Sequence, residues 1–215
     1  MNKYLQIIHG TDIYKDLELL PKFGNENGDI LSETMDKIFG FYNEPEVTII
    51  EVGTFFGASI TRVAKYFLKK NIKPLIFCID TWTGDTFMRG QKQWMDWLKC
   101  KNGYPTIYYQ FLSNIIHENL QEYVIPVPHT SSDAYRYLEK LNISADFCYI
   151  DGCHFFEEVS FDIENYYKLI KKGGILFGDD YDSGWLGVVN AVNSFVRQNK
   201  FDYEISNSKW ILRKK

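Results

Sequence analysis

From residue 47 onward, short apolar runs alternate with segments of helical periodicity. The apolar runs are continuous and rich in β-branched and aromatic residues, which is typical of strands buried on both faces of a parallel sheet. They occupy residues 47–53, 75–80, 122–128, 145–151 and 175–179. Between them, apolar side chains recur every three or four positions and predict helices over 58–70, from Ser132 or Asp133 through 141, over 157–172 and over 188–198. Alternating strands and helices predict an open α/β sheet covered by helices on both faces.

The two ends of the chain follow other patterns. Near the amino terminus, helices are predicted over residues 13–20, ended by Pro21, and over residues 29–42. Near the carboxyl terminus, two short apolar segments flank Asn207 and Ser208, which predicts an antiparallel hairpin added to the parallel sheet. Gly173 and Gly174 are expected to end the helix that precedes the fifth strand.

A long connection separates the second and third predicted strands. Residues 82–121 are rich in tryptophan, tyrosine and phenylalanine and have room for two helices, over 91–101 and 106–119. Ligands of such sheets lie beyond the carboxyl ends of the strands, so this aromatic insertion is expected to cover the active site. The chain is interpreted as a single domain over residues 1–215, with residues 1–45 as an N-terminal helical cap.

Composition narrows the classes of partner. The 215 residues carry a formal net charge of −4, which argues against non-specific nucleic-acid binding. The four cysteines form no CxxC pair, and no apolar run is long enough to span a bilayer. These features predict a cytoplasmic protein with neither a nucleic-acid nor a membrane partner. They leave a homo-oligomer open.

A glycine turn follows the first predicted strand. Glu51, Gly53 and Gly57 lie between that strand and a helix, where glycine permits a tight turn and a close backbone approach to a ligand. The GxxxG spacing does not fit the dinucleotide fingerprint. Asp80 ends the second strand, where an acid can accept both ribose hydroxyls. A turn without ligand at the glycines and a capping role for Asp80 are the competing interpretations.

Two further strands end in acidic residues. Asp151 and Gly152 close the fourth strand, with His154 beside them, and Asp179 and Asp180 close the fifth. Neighbouring strands lie less than about 5 Å apart, so these carboxylates can meet. Carboxylates are suited to magnesium, and histidine readily exchanges a proton near neutral pH. The alternative is that these residues cap the helices that follow.

The combined motifs resemble those of class I S-adenosylmethionine-dependent methyltransferases. The resemblance rests on residues 51–57 and on Asp80, and it covers residues 47–181 together with the terminal hairpin. It implies a Rossmann-like three-layer sandwich, whose seven-stranded, mostly parallel sheet has an antiparallel last strand. It also implies S-adenosylmethionine as cofactor, bound by Glu51, Gly53, Thr54, Gly57, Ser59, Asp80, Thr81, Ser131 and Asp151.

Residues 149–181 are similar to one subgroup, the metal-dependent small-molecule O-methyltransferases of macrolide sugars and aminocoumarins. The resemblance implies that Asp151, Asp179 and Asp180 bind Mg²⁺ or another divalent metal. It further implies catalytic roles for His154, as the base, and for Asp151. The chain departs from the subgroup at Cys153, where Asp or Ser is usual, and in its Phe-Phe pair at 155–156, where Ser-Tyr is typical.

The predicted function is therefore methyl transfer to an oxygen of a small hydroxylated acceptor, such as a sugar, a natural product or a phenol. A metal-dependent hydroxylase of the same fold and a non-catalytic cofactor-binding protein are the alternatives. The hydroxylase would need iron and an oxidant, and no clear HxD…H facial triad is present in the sequence.

Overall fold

The computed structural model describes residues 3–24 and 32–215. Within these ranges the strands form one seven-stranded sheet in the order β3-β2-β1-β4-β5-β7-β6. The strands are β1 (Glu46–Val52), β2 (Lys73–Ile79), β3 (Val124–Val127), β4 (Ala145–Ile150), β5 (Ile170–Gly178), β6 (Glu204–Ser206) and β7 (Lys209–Arg213). The pairs among β1 to β5 are parallel, whereas β7 runs antiparallel to both β5 and β6. The predicted fold class, including the antiparallel last strand, is confirmed.

Helices cover both faces of this sheet. They are α1 (Lys3–His9), α2 (Ser32–Phe39), α3 (Ala58–Lys69), α4 (Thr86–Arg89), α5 (Lys92–Leu98), α6 (Ile107–His117), α7 (Ser131–Lys140), α8 (Phe156–Leu169) and α9 (Leu186–Asn199). Successive strand residues point to opposite faces, so Ile49 packs with α2, α3 and α6, while Ile50 packs with α7, α8 and α9. Both faces of the central strands are therefore buried, which explains their continuous apolar sequence.

The N-terminal segment differs from its prediction. Residues 13–20 form a turn at 13–16 and then an irregular stretch instead of a helix, and α1 was not predicted. The stretch lies across α6, whose side chains bind its backbone. Leu20 N donates to Ser113 Oγ at 3.1 Å, and Phe23 N donates to Asn114 Oδ1 at 3.2 Å. These bonds replace those that a helix would make. The helix predicted over 29–42 is confirmed over Ser32–Phe39, and its first three residues lie outside the described ranges.

Other element boundaries also move. The helix α8 ends at Leu169, and Gly173 and Gly174 lie within β5 instead of ending the helix. Hydrogen bonds with Lys214 extend the sheet there: Gly173 N donates to Lys214 O, and Lys214 N donates to Gly174 O. The cap of α7 is Thr130, whose hydroxyl accepts from Asp133 N at 3.2 Å, and not Ser132 or Asp133.

The aromatic insertion holds three helices, α4, α5 and α6, where two were predicted. The extra helix α4 is a single turn, capped by the Asp85 side chain, which accepts from Met88 N at 2.7 Å. Among the described helices, none is both long enough and apolar enough to cross a membrane.

Candidate active site

A cavity of about 250 Å³ lies at the carboxyl ends of β1, β2 and β4. Parallel strands present their carboxyl ends on one edge, which is where α/β sheets bind ligands. Five of the residues predicted to bind cofactor line this cavity, namely Gly53, Asp80, Thr81, Ser131 and Asp151. The insertion contributes an apolar wall of Trp82, Met88, Leu98 and Ile107.

The turn after β1 is shaped by a close backbone approach. Gly53 has a φ of +86°, and a Cβ built there would lie 2.0 Å from the carbonyl oxygen of Asp151. Glycine is thus required by the contact between the ends of β1 and β4, as well as by any ligand. The same contact is held by Asp151 N, which donates to Val52 O at 2.8 Å. The glycine turn after β1 is therefore in direct contact with Asp151, the acidic residue that follows β4.

Asp80 at the end of β2 is held by backbone donors. Its two carboxylate oxygens accept from Phe55 N at 2.8 Å and from Trp82 N at 2.7 Å. Burial raises the pKa of Asp80, and these backbone hydrogen bonds oppose that rise. Each oxygen has a second lone pair, so the carboxylate can still accept from ligand hydroxyls in the cavity.

Four of the predicted cofactor residues do not line the cavity: Glu51, Thr54, Gly57 and Ser59. Glu51 is fully buried beneath the turn, where Ser59 Oγ donates to its Oε1. Burial raises the pKa of Glu51 to about 8, so it is largely a neutral acid at pH 7. Gly57, at a φ of +81°, packs against the Phe111 ring. These residues shape the turn from below, and their predicted contact with cofactor stays a prediction.

The acidic residues that follow β4 and β5 lie close together at the carboxyl ends of these two strands. Asp151, His154 and Asp180 each place a ligand atom within 4.8 Å of the other two. His154 Nε2 lies 2.6 Å from Asp180 Oδ2, and both side chains are partly exposed. Asp180 has a φ of +60°, so the chain bends in the left-handed region directly after β5 and Asp179.

Asp179 is engaged elsewhere. Its carboxylate pairs with Lys209 Nζ from β7, and it also accepts from the Tyr149 hydroxyl at 2.9 Å and from Asp180 N at 2.9 Å. The Lys209 side chain is only 3% exposed, so the ion pair is buried. The Tyr149 hydroxyl also lies 3.1 Å from Asp151 Oδ2 and bridges the two acid-tipped strands. The residues available to a cation here are thus Asp151, His154 and Asp180, because the Asp179 carboxylate already pairs with Lys209.

A smaller outer pocket of about 180 Å³ adjoins His154. The Trp185 ring stacks on the imidazole, with ring centroids 4.0 Å apart, and Phe87 of α4 packs edge-on against Trp185 at 5.8 Å. Phe155 and Leu186 complete the wall and are 55% and 61% exposed. An apolar surface of this kind, next to a histidine–carboxylate pair, fits a planar or apolar part of a ligand.

Sequence reasoning missed three residues of this site: Tyr149, Trp185 and Lys209. A signal existed for Tyr149, because a residue two positions before Asp151 on a strand shares its face. The sequence shows Lys209 as a charged residue at the start of the apolar segment that forms β7. Only the pairing of β5 with β7 brings it beside Asp179. Trp185 lies in a loop, where no periodicity indicates direction.

The fold and the cavity together define a class. The seven-stranded sheet has this strand order and an antiparallel seventh strand, and a cavity lined by acidic residues lies at the carboxyl ends of its parallel strands. This is the Rossmann-like methyltransferase architecture. A family model described as "Methyltransferase domain" matches residues 50–181, which is more than half of the chain. The protein belongs to this methyltransferase family, and the predicted resemblance to methyltransferases is confirmed.

A sequence relative is the uncharacterized protein R132 of Acanthamoeba polyphaga mimivirus, 28% identical over 168 residues. The aligned part covers 75% of this chain and 65% of that relative, so the chain spans somewhat less than two thirds of the relative's length.

Solved structures share the fold at low identity. The calicheamicin methyltransferase CalS11 has a TM-score of 0.55 at 20% identity, and the O-methyltransferase NovP has 0.58 at 13%; each match covers 78% of this chain and 72% of the other. An O-methyltransferase from Bacillus cereus, in complex with SAH, has a TM-score of 0.50 at 16% identity, over 78% of this chain and 74% of the other.

Proposed function

We propose that the protein transfers the methyl group of S-adenosylmethionine to a hydroxyl oxygen of a small molecule. One observation carries the proposal: a single cavity joins Asp80 and Gly53, which suit a nucleoside, to Asp151, which begins the histidine–carboxylate cluster. Structurally similar proteins, NovP and the Bacillus cereus protein among them, are O-methyltransferases, and this supports the choice of oxygen as acceptor.

The cofactor would lie along the cavity from Gly53 to Ser131. Asp80 offers acceptor oxygens to the two ribose hydroxyls. The apolar side chains of Trp82, Leu98 and Ile107 face the same space and would exclude water from it. In this proposal, residues 82–121 form the active-site cover of a single domain, with residues 1–45 as a cap.

The acceptor would enter by the outer pocket, between Phe155, Trp185 and Leu186. The cofactor and the acceptor hydroxyl would then be held in line, and this positioning supplies much of the acceleration in such reactions. The new bond forms between the acceptor oxygen and the methyl carbon, and the carbon–sulfur bond breaks to leave S-adenosylhomocysteine. The hydroxyl proton passes to His154.

The contacts of His154 favour this role as base. Its Nε2 lies 2.6 Å from Asp180 Oδ2, so a tautomer that carries the proton on Nε2 donates to Asp180 and leaves Nδ1 able to accept. Asp180 would then stabilise the imidazolium that forms. Trp185, stacked on the ring at 4.0 Å, holds its orientation.

The donor set also fits a divalent cation such as Mg²⁺. Asp151 and Asp180 supply carboxylate oxygens, which are the ligands that magnesium prefers, while His154, the remaining member of the cluster, keeps Nδ1 for the proton. When bound, such a cation lowers the pKa of an acceptor hydroxyl. The predicted third carboxylate, Asp179, is neutralised by Lys209, so we propose Asp151 and Asp180 as the principal ligands.

Cofactor binding tests the first part of this proposal. Titration calorimetry is expected to show binding of S-adenosylhomocysteine and no binding of NAD. The Asp80→Asn variant should weaken S-adenosylhomocysteine at least about tenfold, because a ribose hydroxyl loses a charged acceptor. Asp202→Asn is the matched control, since that carboxylate is 92% exposed and far along the chain. An unaltered affinity in Asp80→Asn would refute the assigned cofactor site.

Acceptor chemistry needs a second assay. Labelled S-adenosylmethionine is offered with a panel of phenols, catechols and sugars, with and without a chelator. Transfer to oxygen that the chelator abolishes supports both the function and the cation. Transfer that survives the chelator removes the cation from the proposal, and label appearing only on nitrogen or carbon contradicts the O-methyltransferase assignment.

A further inference from the structure

Lys209 places a buried positive charge beside the proposed cation site. It is the first residue of β7, and the antiparallel pairing of β7 with β5 brings it next to Asp179. Its side chain is only 3% exposed, and its Nζ atom donates a hydrogen bond to Asp179 Oδ2. A buried ammonium is costly without a carboxylate partner, so the two groups stay paired in the folded protein. One acidic residue of the site is therefore already neutralised by a cation that belongs to the chain.

The position of Asp179 would otherwise suit a metal ligand. The Tyr149 hydroxyl lies 2.9 Å from Asp179 Oδ2 and 3.1 Å from Asp151 Oδ2, so a single hydroxyl group separates the two carboxylates. Asp180 is the next residue in the chain, and its backbone N donates to Asp179 Oδ1 at 2.9 Å. Asp179 thus adjoins both carboxylates of the cluster, and the pairing with Lys209 is what sets it apart from them.

The charge available to a cation depends on Lys209. Asp151, Asp179 and Asp180 each carry a negative charge when ionised, and the Lys209 ammonium offsets that of Asp179. The affinity of a site for a divalent cation depends on how many charged ligands surround the ion. A fixed positive charge nearby also repels the ion, and the repulsion is strong where water is excluded. Both effects make the site a weaker binder than three unpaired carboxylates would be.

We propose that Lys209 is an internal counter-ion that withholds Asp179 from the cation site and thereby keeps the affinity for a divalent cation low. The inference rests on the proposed function for the identity of the site, and it adds the residue that determines how tightly the site is loaded. An enzyme with such a site responds to the free concentration of the cation, whereas a site with three unpaired carboxylates would stay loaded.

Cation binding by the purified protein tests this role without any methyl acceptor. Mn²⁺ takes oxygen ligands as Mg²⁺ does, and the free ion can be measured by electron paramagnetic resonance. Lys209→Met is expected to bind Mn²⁺ at least about tenfold more tightly than wild type, because it gains a carboxylate ligand and loses a nearby positive charge. The double variant Lys209→Met with Asp179→Asn should return to within about threefold of wild type, because it lacks the neutral pair but no ligand that the wild type uses.

Lys171→Met is the matched control. Lys171 pairs with Asp146, whose side chain is 10% exposed, as is that of Asp179. Asp146 lies near the start of β4, at the end of the strand opposite to Asp151. The variant therefore removes the same charge from an equally buried aspartate that is remote from the site, and its affinity for Mn²⁺ should equal that of wild type.

Two results with Lys209→Met overturn the inference. One is an affinity for Mn²⁺ equal to that of wild type. The other is a gain that persists in the double variant, because the gain would then not come from Asp179. A double variant that binds about tenfold more weakly than wild type also overturns it, since Asp179 would then be a ligand in the wild type. That comparison remains if Lys209→Met does not fold.

The remaining outcomes separate this inference from the proposed function. Binding of Mn²⁺ by Lys209→Met with none by wild type supports the inference in its strongest form. If neither protein binds Mn²⁺, the inference fails together with the cation that the proposed function includes. Binding of S-adenosylhomocysteine and methyl transfer are measured separately, and they decide the rest of the proposed function.

Discussion

The buried ion pair between Lys209 and Asp179 gives a quantitative prediction. Substituting Lys209→Met keeps most of the side-chain volume but leaves the Asp179 carboxylate, which is only 10% exposed, without its counter-charge. Removing one partner of a buried ion pair costs about 3–5 kcal/mol. Tyr149 and Asp180 N still donate to Asp179 at 2.9 Å, so the lower part of that range, about 3 kcal/mol, is expected. For a chain of this length that is a loss of roughly 6–12 °C in Tm.

Urea unfolding at pH 7 with a chelator measures this loss, because the chelator prevents a cation from replacing the ammonium. Lys37→Met is the control: its partner is Glu204, the two side chains are 42% and 67% exposed, and such pairs contribute at most about 1 kcal/mol. The double variant Lys209→Met with Asp179→Asn should recover more than half of the loss, because no unpaired charge remains. The reasoning is refuted if Lys209→Met costs no more than Lys37→Met, or if the double variant is no more stable than Lys209→Met.

Three further outcomes are expected. Because burial raises the pKa of Glu51 to about 8, well above its unfolded value, folding favours the neutral acid; stability from this group is present at low pH and lost as pH rises from about 4.5 to 8. Glu51→Gln should therefore gain on wild type by up to about 1.4 kcal/mol per pH unit in that window, and parallel unfolding curves against pH would contradict this. Gly53→Ala should cost at least about 2 kcal/mol more than Gly103→Ala in urea unfolding, since both have positive φ but only at Gly53 would a Cβ meet backbone, at 2.0 Å. His154→Ala should lower kcat by about 10²- to 10⁴-fold with S-adenosylhomocysteine affinity within twofold, and a kcat near wild type would remove His154 as the base.

The fold was predictable because the sequence pattern of each central strand is set by its own burial and not by distant contacts. Each central strand is buried on both faces, so its apolar run is continuous and its ends are marked by glycine or acid. The errors fall where tertiary contacts replace local ones. A helix was predicted over residues 13–20, yet the segment is irregular from residue 17, and the side chains of Ser113 and Asn114 bind the backbone of Leu20 and Phe23. Gly173 and Gly174 look like a helix stop, but pairing with Lys214 draws them into β5.

The candidate site was predictable in part for a similar reason. Asp80 and Asp151 follow β2 and β4, the two parallel strands on either side of β1, and the carboxyl ends of parallel strands lie on one side of the sheet whatever the loops do. The sequence could not predict that Asp179 pairs with a lysine while Asp180 contacts His154. These contacts depend on a positive φ at Asp180 and on Lys209, which lies 30 residues from Asp179 in the chain.

The contact between Gly53 and the Asp151 carbonyl also bears on how the enzyme can be re-engineered. Because no side chain separates the two strand ends, the distance between Gly53 and Asp151 is set by the backbone, and substitutions near that contact cannot adjust it gradually. The exposed side chains of Phe155 and Leu186 have no such constraint. If the outer pocket receives the acceptor as proposed, libraries aimed at new acceptors should vary these two positions, where a change of side-chain shape leaves the spacing of the two strand ends intact.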